Sequence, residues 1–338
     1  MRRSAYWFLP VIGLLLVLVG VPLAQVAPQM ITSHLGHEGP AFQPGLTPAR
    51  LGWGPDDKAY PDRLVVNPKD GAEMVWVPAG KFRMGSTPEE IDQLWRENGW
   101  DPDWKKFTSD EQPAHEVTLT AGFWLYRHEV TNGQYGKFLA EAGHGTPGPW
   151  WDSYKQHPQL PVNVVTWDDV VAYSRWAGGA LPTEAQWEWS ARGPQGRLYP
   201  WGNQWDRSKC NSAEFWAQKP LKSEAACTQW LGGTGIEKAE DVIPFLKAVG
   251  SFPENSSWCG ALDLAGNVWE WCADWYGEDY YGKSPAADPS GPAGGAQRVL
   301  RGGSWGFDAN LCRSADRNWL DPTYGDIDVG FRPVVPRE

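Results

Sequence analysis

Short alternations of apolar and polar residues open the folded part of the chain. MVWV and GKFRMGS are broken by Pro78-Ala79-Gly80, which predicts a β-hairpin over residues 74–86. HEVTLTAGFWLYRHEV, residues 115–130, predicts a second strand pair. The period then changes from two to three and four. Thr131 precedes NGQYGKFLAEAG, where Tyr135, Phe138 and Leu139 share one helical face. Thr166 caps a second helix over WDDVVAYSRWAGG, stopped by its glycine pair. Thr183 and Gln186 form the spacing of a capping box before a third helix, PTEAQWEWSARG, with Ala185, Trp189 and Ala191 as its buried stripe.

Beyond residue 200 the periodicity fades into loops. Strand signals return at 267–276, 297–305 and 329–335. WEW occurs at 187–189 and again at 269–271, but no fixed period accompanies it, which argues against a solenoid or propeller. Three short helices among many short strands and long loops predict an α+β fold with little regular secondary structure.

Upstream the pattern is different. Met1-Arg2-Arg3 precedes a nearly continuous apolar run from Ala5 to Ala24, the arrangement of an exported N-terminus with its positive end inside. Residues 1–27 are therefore expected to be a signal anchor or signal peptide, with the membrane held through residues 5–24. Residues 28–71 are rich in Pro and Gly and lack periodicity, as a linker would. Residues 72–338 form the globular domain, on the extracytoplasmic side (periplasmic or cell-surface), anchored or secreted.

Composition sharpens this outline. The 338 residues include 23 Trp, more than the 11 Phe or 11 Tyr, so the bulk of the chain has the large aromatics that a disordered chain lacks. Gly (38) and Pro (29) favour a turn-rich globule over a helix bundle. The net charge of −11 and the lack of a basic run in the body of the chain argue against nucleic acid as a partner. Five cysteines, Cys210, Cys227, Cys259, Cys272 and Cys312, suggest two disulfides and one spare thiol in an oxidising compartment. Cys210–Cys227 and Cys259–Cys272 are the sequence-close pairing, although other connectivities are open.

Conventional catalytic signatures are missing. The six histidines, His34, His37, His115, His128, His144 and His157, contain no HExxH, HxH or HxxxH pair, and the chain has no GxSxG or P-loop. His115 and His128 read as structural hydrogen-bonding groups. Asp263, Gly266, Asn267 and Glu270 are more informative. They bring two carboxylates, an amide and a sharp turn together, the oxygen donors that a hard cation such as Ca²⁺ takes. Residues 306–328 are polar with scattered aromatics and are expected to be a surface loop region used for recognition.

MVWVPAGKFRMGS, EVTNGQYGKFL, PVNVVTWDDVVAYSRWAGG, LPTEAQWEWSARG, YPWGN, LAGNVWEWCADW, VLRGGSW and GFRPV occur in that order. Together they make residues 72–336 resemble the sulfatase-modifying-factor family, whose best-known member is the formylglycine-generating enzyme. The resemblance implies that enzyme's variant of the C-type-lectin-like fold. It implies oxidation of a sulfatase cysteine to formylglycine with O₂ and Cu(I) held by two thiolates in the loop after the GGS motif. The first thiolate lies three residues past the motif's serine, where this chain has Phe307. Counted forward without gaps, Cys312 takes the second place; aligned back from the RSADR segment, it matches neither. One thiolate cannot make the two-coordinate site that Cu(I) prefers. Ser304 and Trp269 match residues of the active-site groove, so Cys312, Ser304 and Trp269 are the candidate catalytic set.

The resemblance also implies Ca²⁺ at Asp263, Gly266, Val268 and Glu270, and a second calcium site near Asn211 and Asp241. The expected function is a non-catalytic binding or scaffold module. Its protein or small-molecule ligand would meet the C-terminal loops at Trp305, Phe307, Asp308, Asn310, Arg317, Trp319 and Tyr324. The alternative is a divergent copper- or thiol-dependent oxidase or maturation factor acting on an exported protein.

Overall fold

The computed structural model describes residues 64–336. The expected N-terminal signal anchor or signal peptide and most of the expected linker lie outside the described residues. Within them, no helix is long and apolar enough to cross a membrane.

The first two strand runs are present but pair differently from the hairpins expected. β2 (Glu73–Val77) pairs with β5 (Phe123–Tyr126), and β3 (Gly80–Met84) pairs with β4 (His115–Leu119). Met74 faces Tyr126 and Met84 faces His115, so residues 73–84 and 115–126 run antiparallel as one bent ribbon. The Pro78-Ala79 corner, read as a hairpin turn, is the bend of that ribbon, because proline cannot donate to a continuing ladder. Gly122 sits at the opposite corner, where a Cβ would lie 2.4 Å from the Trp76 ring. The bend thus places an indole where a side chain would otherwise be.

β2 and β5 belong to a four-stranded sheet closed by β1 (Val65–Val66) and β10 (Val334–Pro336), in the order β1-β2-β5-β10. β1 falls within the stretch read as linker. Asn67 and Asp70, just after it, are buried and bond to the hydroxyl of Tyr126. A second four-stranded sheet has the order β8-β7-β6-β9, built from Asn318–Leu320, Arg298–Arg301, Trp269–Trp275 and Val329–Gly330. Its β6–β9 pair is parallel.

The three expected helices form where their caps place them. They are Asn132–Ala142, Trp167–Trp176 and Glu184–Arg192, with capping boxes at Thr131, Thr166 and Thr183. A further helix, Pro88–Asn98, has the same device, with Thr87 and Glu90 bonded reciprocally and Gly99 left-handed behind it. Ala185, Trp189 and Ala191 are buried, as the stripe predicts. Trp124, Trp187, Trp269, Trp271 and Trp305 are among the largest fully buried side chains, so the tryptophan excess is chiefly core.

Candidate functional site

The turn before β6 is tightly constrained. Asp263 (φ 61°) and Asn267 (φ 65°) adopt left-handed conformations around Gly266 (φ 78°). A Cβ on Gly266 would lie 2.2 Å from the carbonyl oxygen of Asn211, so only glycine fits. Asp263 accepts from the Gly250 amide at 2.6 Å and from Asn255 at 3.4 Å. Glu270 accepts two bonds from Arg332, at 2.7 Å each, and one from the Trp187 indole.

Sequence reasoning missed Glu129, which is buried with both carboxylate oxygens unpartnered. Burial, followed by repulsion from Asp263, pushes its carboxyl well above the usual range. Asp263 is also raised by burial, with Glu270 a further contribution. Three buried carboxylates therefore gather around one guanidinium, Arg332. The neighbouring His128 is driven down to about 3 by burial and by Arg332 and Arg127, so it stays neutral and supplies no second cation. No three His, Cys, Asp or Glu side chains among the described residues converge closely enough to hold a metal. What fits Ca²⁺ here is the excess of negative charge and the orphaned Glu129 oxygens.

Asn211 and Asp241 are not brought together by any hydrogen bond. Asn211 bonds Asn267, the Phe245 carbonyl and the Trp216 indole. Asp241 accepts from the amides of Glu237 and Lys238, capping a short 3₁₀ turn.

The segment after β7 corrects the expectation of a surface loop. Trp305, Phe307, Asp308, Asn310 and Arg317 are all buried, while Trp319 is half-buried and Tyr324 is 56% exposed. The polar composition suggested solvent, but the arginines carry their partners inward. Arg313 forks onto Glu111 at 2.9 and 2.7 Å, and Arg317 onto Glu184 at 2.7 and 2.9 Å. Arg301 pairs with Glu188 and caps the carbonyls of Ser314 and Ala315. Trp319 leans on Tyr276 at 5.7 Å, beside Arg298, which is held between Trp167 and Trp275 at 3.7 and 3.5 Å.

The candidate catalytic set is buried too. Ser304 donates to Asp328 at 2.7 Å, and Trp269 meets the Phe307 ring edge-on at 5.5 Å. Cys312 packs beside Cys210 and Ala265 under Trp201 and Trp205. A Cβ on Gly303 would lie 2.8 Å from the Cys312 sulfur. The fold therefore sets Cys312 against Cys210, not Cys210 against Cys227. All five cysteines are free thiols here and all are buried. Cys227 lies in a different cluster, with Trp95 and Leu221, and the Cys259 thiol bonds the Ser190 carbonyl at 3.6 Å.

An open concavity lies elsewhere, over residues 201–209. A cavity of about 670 Å³ is lined by Trp201, Trp205, Asp206, Arg207, Lys209 and Glu214, among others. Trp201 stacks on Tyr199 at 5.3 Å, and Trp205 donates to Glu214 at 2.7 Å. The sequence signal here is the YPWGN motif, one of those that carry the family resemblance. Asp308, behind this wall, is pushed up to about 7 by burial, with Glu214 repelling it further. A carboxyl whose folded value exceeds its unfolded one favours the fold while protonated. That contribution is lost as pH rises from about 4 towards 7.

Comparison with known proteins follows the same motifs. The model of the sulfatase-modifying factor enzyme 1-like domain matches residues 62–336. A formylglycine-generating enzyme of Streptomyces coelicolor is 32% identical over 315 residues, covering 79% of this chain and 90% of that protein. The structure of PvdO from Pseudomonas aeruginosa aligns with a TM-score of 0.59 at 26% identity, covering 82% of this chain and 100% of PvdO. Treponema denticola variable protein 1 shares the fold, with a TM-score of 0.54 at 20% identity over 81% of this chain and 98% of that one. The architecture is thus the formylglycine-generating-enzyme variant of the C-type-lectin-like fold.

Proposed function

This chain belongs to the sulfatase-modifying factor enzyme 1-like family, and within it we propose a binding or scaffold module that does not make formylglycine. One observation carries the reading. Phe307 stands at the position of the family's first copper thiolate, and its buried ring packs on Trp269. Neither a sulfur nor space for a metal is available there. Ser304 is likewise engaged with Asp328. The C-terminal loops are too buried to be the ligand surface, so the ligand seat in this reading is the cavity at Trp201 and Trp205. Indole faces beside Asp206, Glu214, Arg207 and Lys209 suit a small polar ligand or a protein loop. The module is exported and held at the membrane by residues 5–24.

Calcium is part of the proposal. In this reading Asp263 and Glu270 with the carbonyls of Gly266 and Val268 would hold it, and the unpartnered Glu129 carboxylate would add negative charge nearby without being a ligand. When bound it would supply the positive charge that Arg332 alone cannot.

A second reading has one observation in its favour. The contact between Cys210 and Cys312 supplies two thiols, the number that a copper-dependent maturation factor needs. Against it, Cys312 is raised well above the usual thiol range, by its hydrogen bond with Cys210, by burial, and by the charges of Asp308 and Glu214. A thiolate pair is costly there. Titration of the reduced, detergent-solubilised full chain with Cu(I), against a competing chelator, separates the two readings. No Cys312-dependent copper is expected. One Cu(I) per chain, lost in Cys312→Ala and in Cys210→Ala, would replace the binding module with the copper protein.

A further inference from the structure

We propose that Cys210 and Cys312 are joined by a disulfide in the oxidised protein, locking the loop after the GGS turn to the floor of the Trp201–Trp205 cavity. The two sulfurs already share one small cluster with Ala265, and both residues are fully buried. Gly303, left-handed at φ 76°, leaves the Cys312 sulfur room against the turn, where any side chain would strike it. Cys210 is held in extended backbone between a 3₁₀ turn, Arg207–Lys209, and the helix Ala213–Ala217 capped by Ser212. Tyr199 bonds the Ala309 carbonyl at 3.1 Å, and Phe307 accepts from the Ala213 amide at 2.9 Å, so the two segments are already in register on either side of the sulfurs.

The chemistry of the surroundings separates a disulfide from the other fates of a thiol pair. Asp308 and Glu214 both oppose negative charge at Cys312. A dithiolate holding a metal would carry that penalty, whereas a disulfide is neutral and apolar and matches a pocket of alanine and indole. Cys227 lies in a separate cluster, and Cys259 and Cys272 are two members of a much larger one. Cys227 faces the Leu221 carbonyl, and Cys259 faces Ser257 and the Ser190 carbonyl. The bond forms by exchange with an external disulfide of the glutathione or protein-oxidant class. One thiol, as thiolate, attacks that disulfide to give a mixed disulfide. The second thiol then displaces the carrier, so two protein thiols are oxidised and one external disulfide is reduced to two thiols. Because the pair is enclosed in the fold, exchange belongs to the folding reaction. Bridging positions about a hundred residues apart constrains the unfolded chain strongly.

The test is to refold the denatured full chain in a buffer of oxidised and reduced glutathione, alkylate it under denaturing conditions, and map the peptides by mass. A Cys210–Cys312 cross-linked peptide is expected, with Cys227, Cys259 and Cys272 alkylated. Reduction should lower the melting temperature by roughly 5–10 °C. It should have no such effect on Cys210→Ala or Cys312→Ala, and Cys227→Ala should keep the full effect. Recovery of Cys210 and Cys312 as alkylated thiols, or a link from either to another cysteine, would overturn the proposal. Free thiols without copper binding would leave the binding-module reading standing, so the two fail separately.

Discussion

Replacing Arg313 with methionine is expected to destabilise the domain by about 3–5 kcal/mol, the cost of leaving a buried charge without its partner. Arg313 is fully buried and holds Glu111, itself fully buried, through two bonds, with Asn310 on its Nε at 3.0 Å. The pair connects the 102–111 turn to the loop after the GGS motif, segments about two hundred residues apart in the chain. Methionine fills a similar volume but offers no donor, so Glu111 keeps the Ser86 hydroxyl at 2.9 Å and loses its counter-charge. In a domain of this size the loss corresponds to a melting shift on the order of 10 °C. The double variant Glu111→Leu/Arg313→Met should recover part of it, because it removes the Glu111 charge while the buried Asp316 still loses its 3.4 Å contact with Arg313. Urea unfolding of the three variants measures the cycle. A single-variant cost below about 1 kcal/mol would mean that this ion pair does not hold the loop inside.

Chelation of calcium is expected to produce the other large effect. With Glu129, Asp263 and Glu270 gathered on Arg332, a bound dication relieves repulsion that the folded state otherwise carries. At a calcium concentration a thousandfold above its dissociation constant, binding contributes about 4 kcal/mol to stability. Melting curves of the full chain with calcium and with a calcium-selective chelator should differ by on the order of 10 °C. Glu129→Gln should narrow that gap, since it removes the carboxylate that has no other partner. Coincident curves would remove calcium from this domain, and the carboxylate cluster would then have to be relieved by proton uptake.

Local signals in the sequence were legible and non-local ones were not. Thr131, Thr166 and Thr183 announce their helices because a cap and its partner lie three residues apart. The same signal at Thr87 was passed over, although the sequence shows it as plainly. The strand runs expected at 74–86 and 115–130 form at 73–84 and 115–126, with partners other than the hairpins predicted. A proline corner within one long ribbon and a hairpin turn share the same residue types, and only distant pairing separates them. The error over residues 306–320 has a related cause. Arginine and aspartate in a loop normally face water. Here each buried arginine finds its glutamate on a distant element, Arg313 at Glu111 and Arg317 at Glu184. The family motifs point to Asp263 and Gly266, which lie in the turn before β6, and to Glu270, which lies in that strand. They did not point to Glu129, whose significance comes only from its missing partner.

Cys312 illustrates the limit most clearly. Counting from the GGS motif leaves it on or off a catalytic position depending on the direction of the count. Its position in the fold, beside Cys210 and behind Gly303, is a matter of packing that no spacing rule contains. The central claim is that this family member binds without oxidising. The most direct measurement is the mass of a sulfatase-type cysteine peptide after incubation with the full chain, Cu(I) and O₂. Recovery of the unmodified peptide is the predicted result. Conversion of its cysteine to the formylglycine aldehyde, abolished by Cys312→Ala, would contradict it.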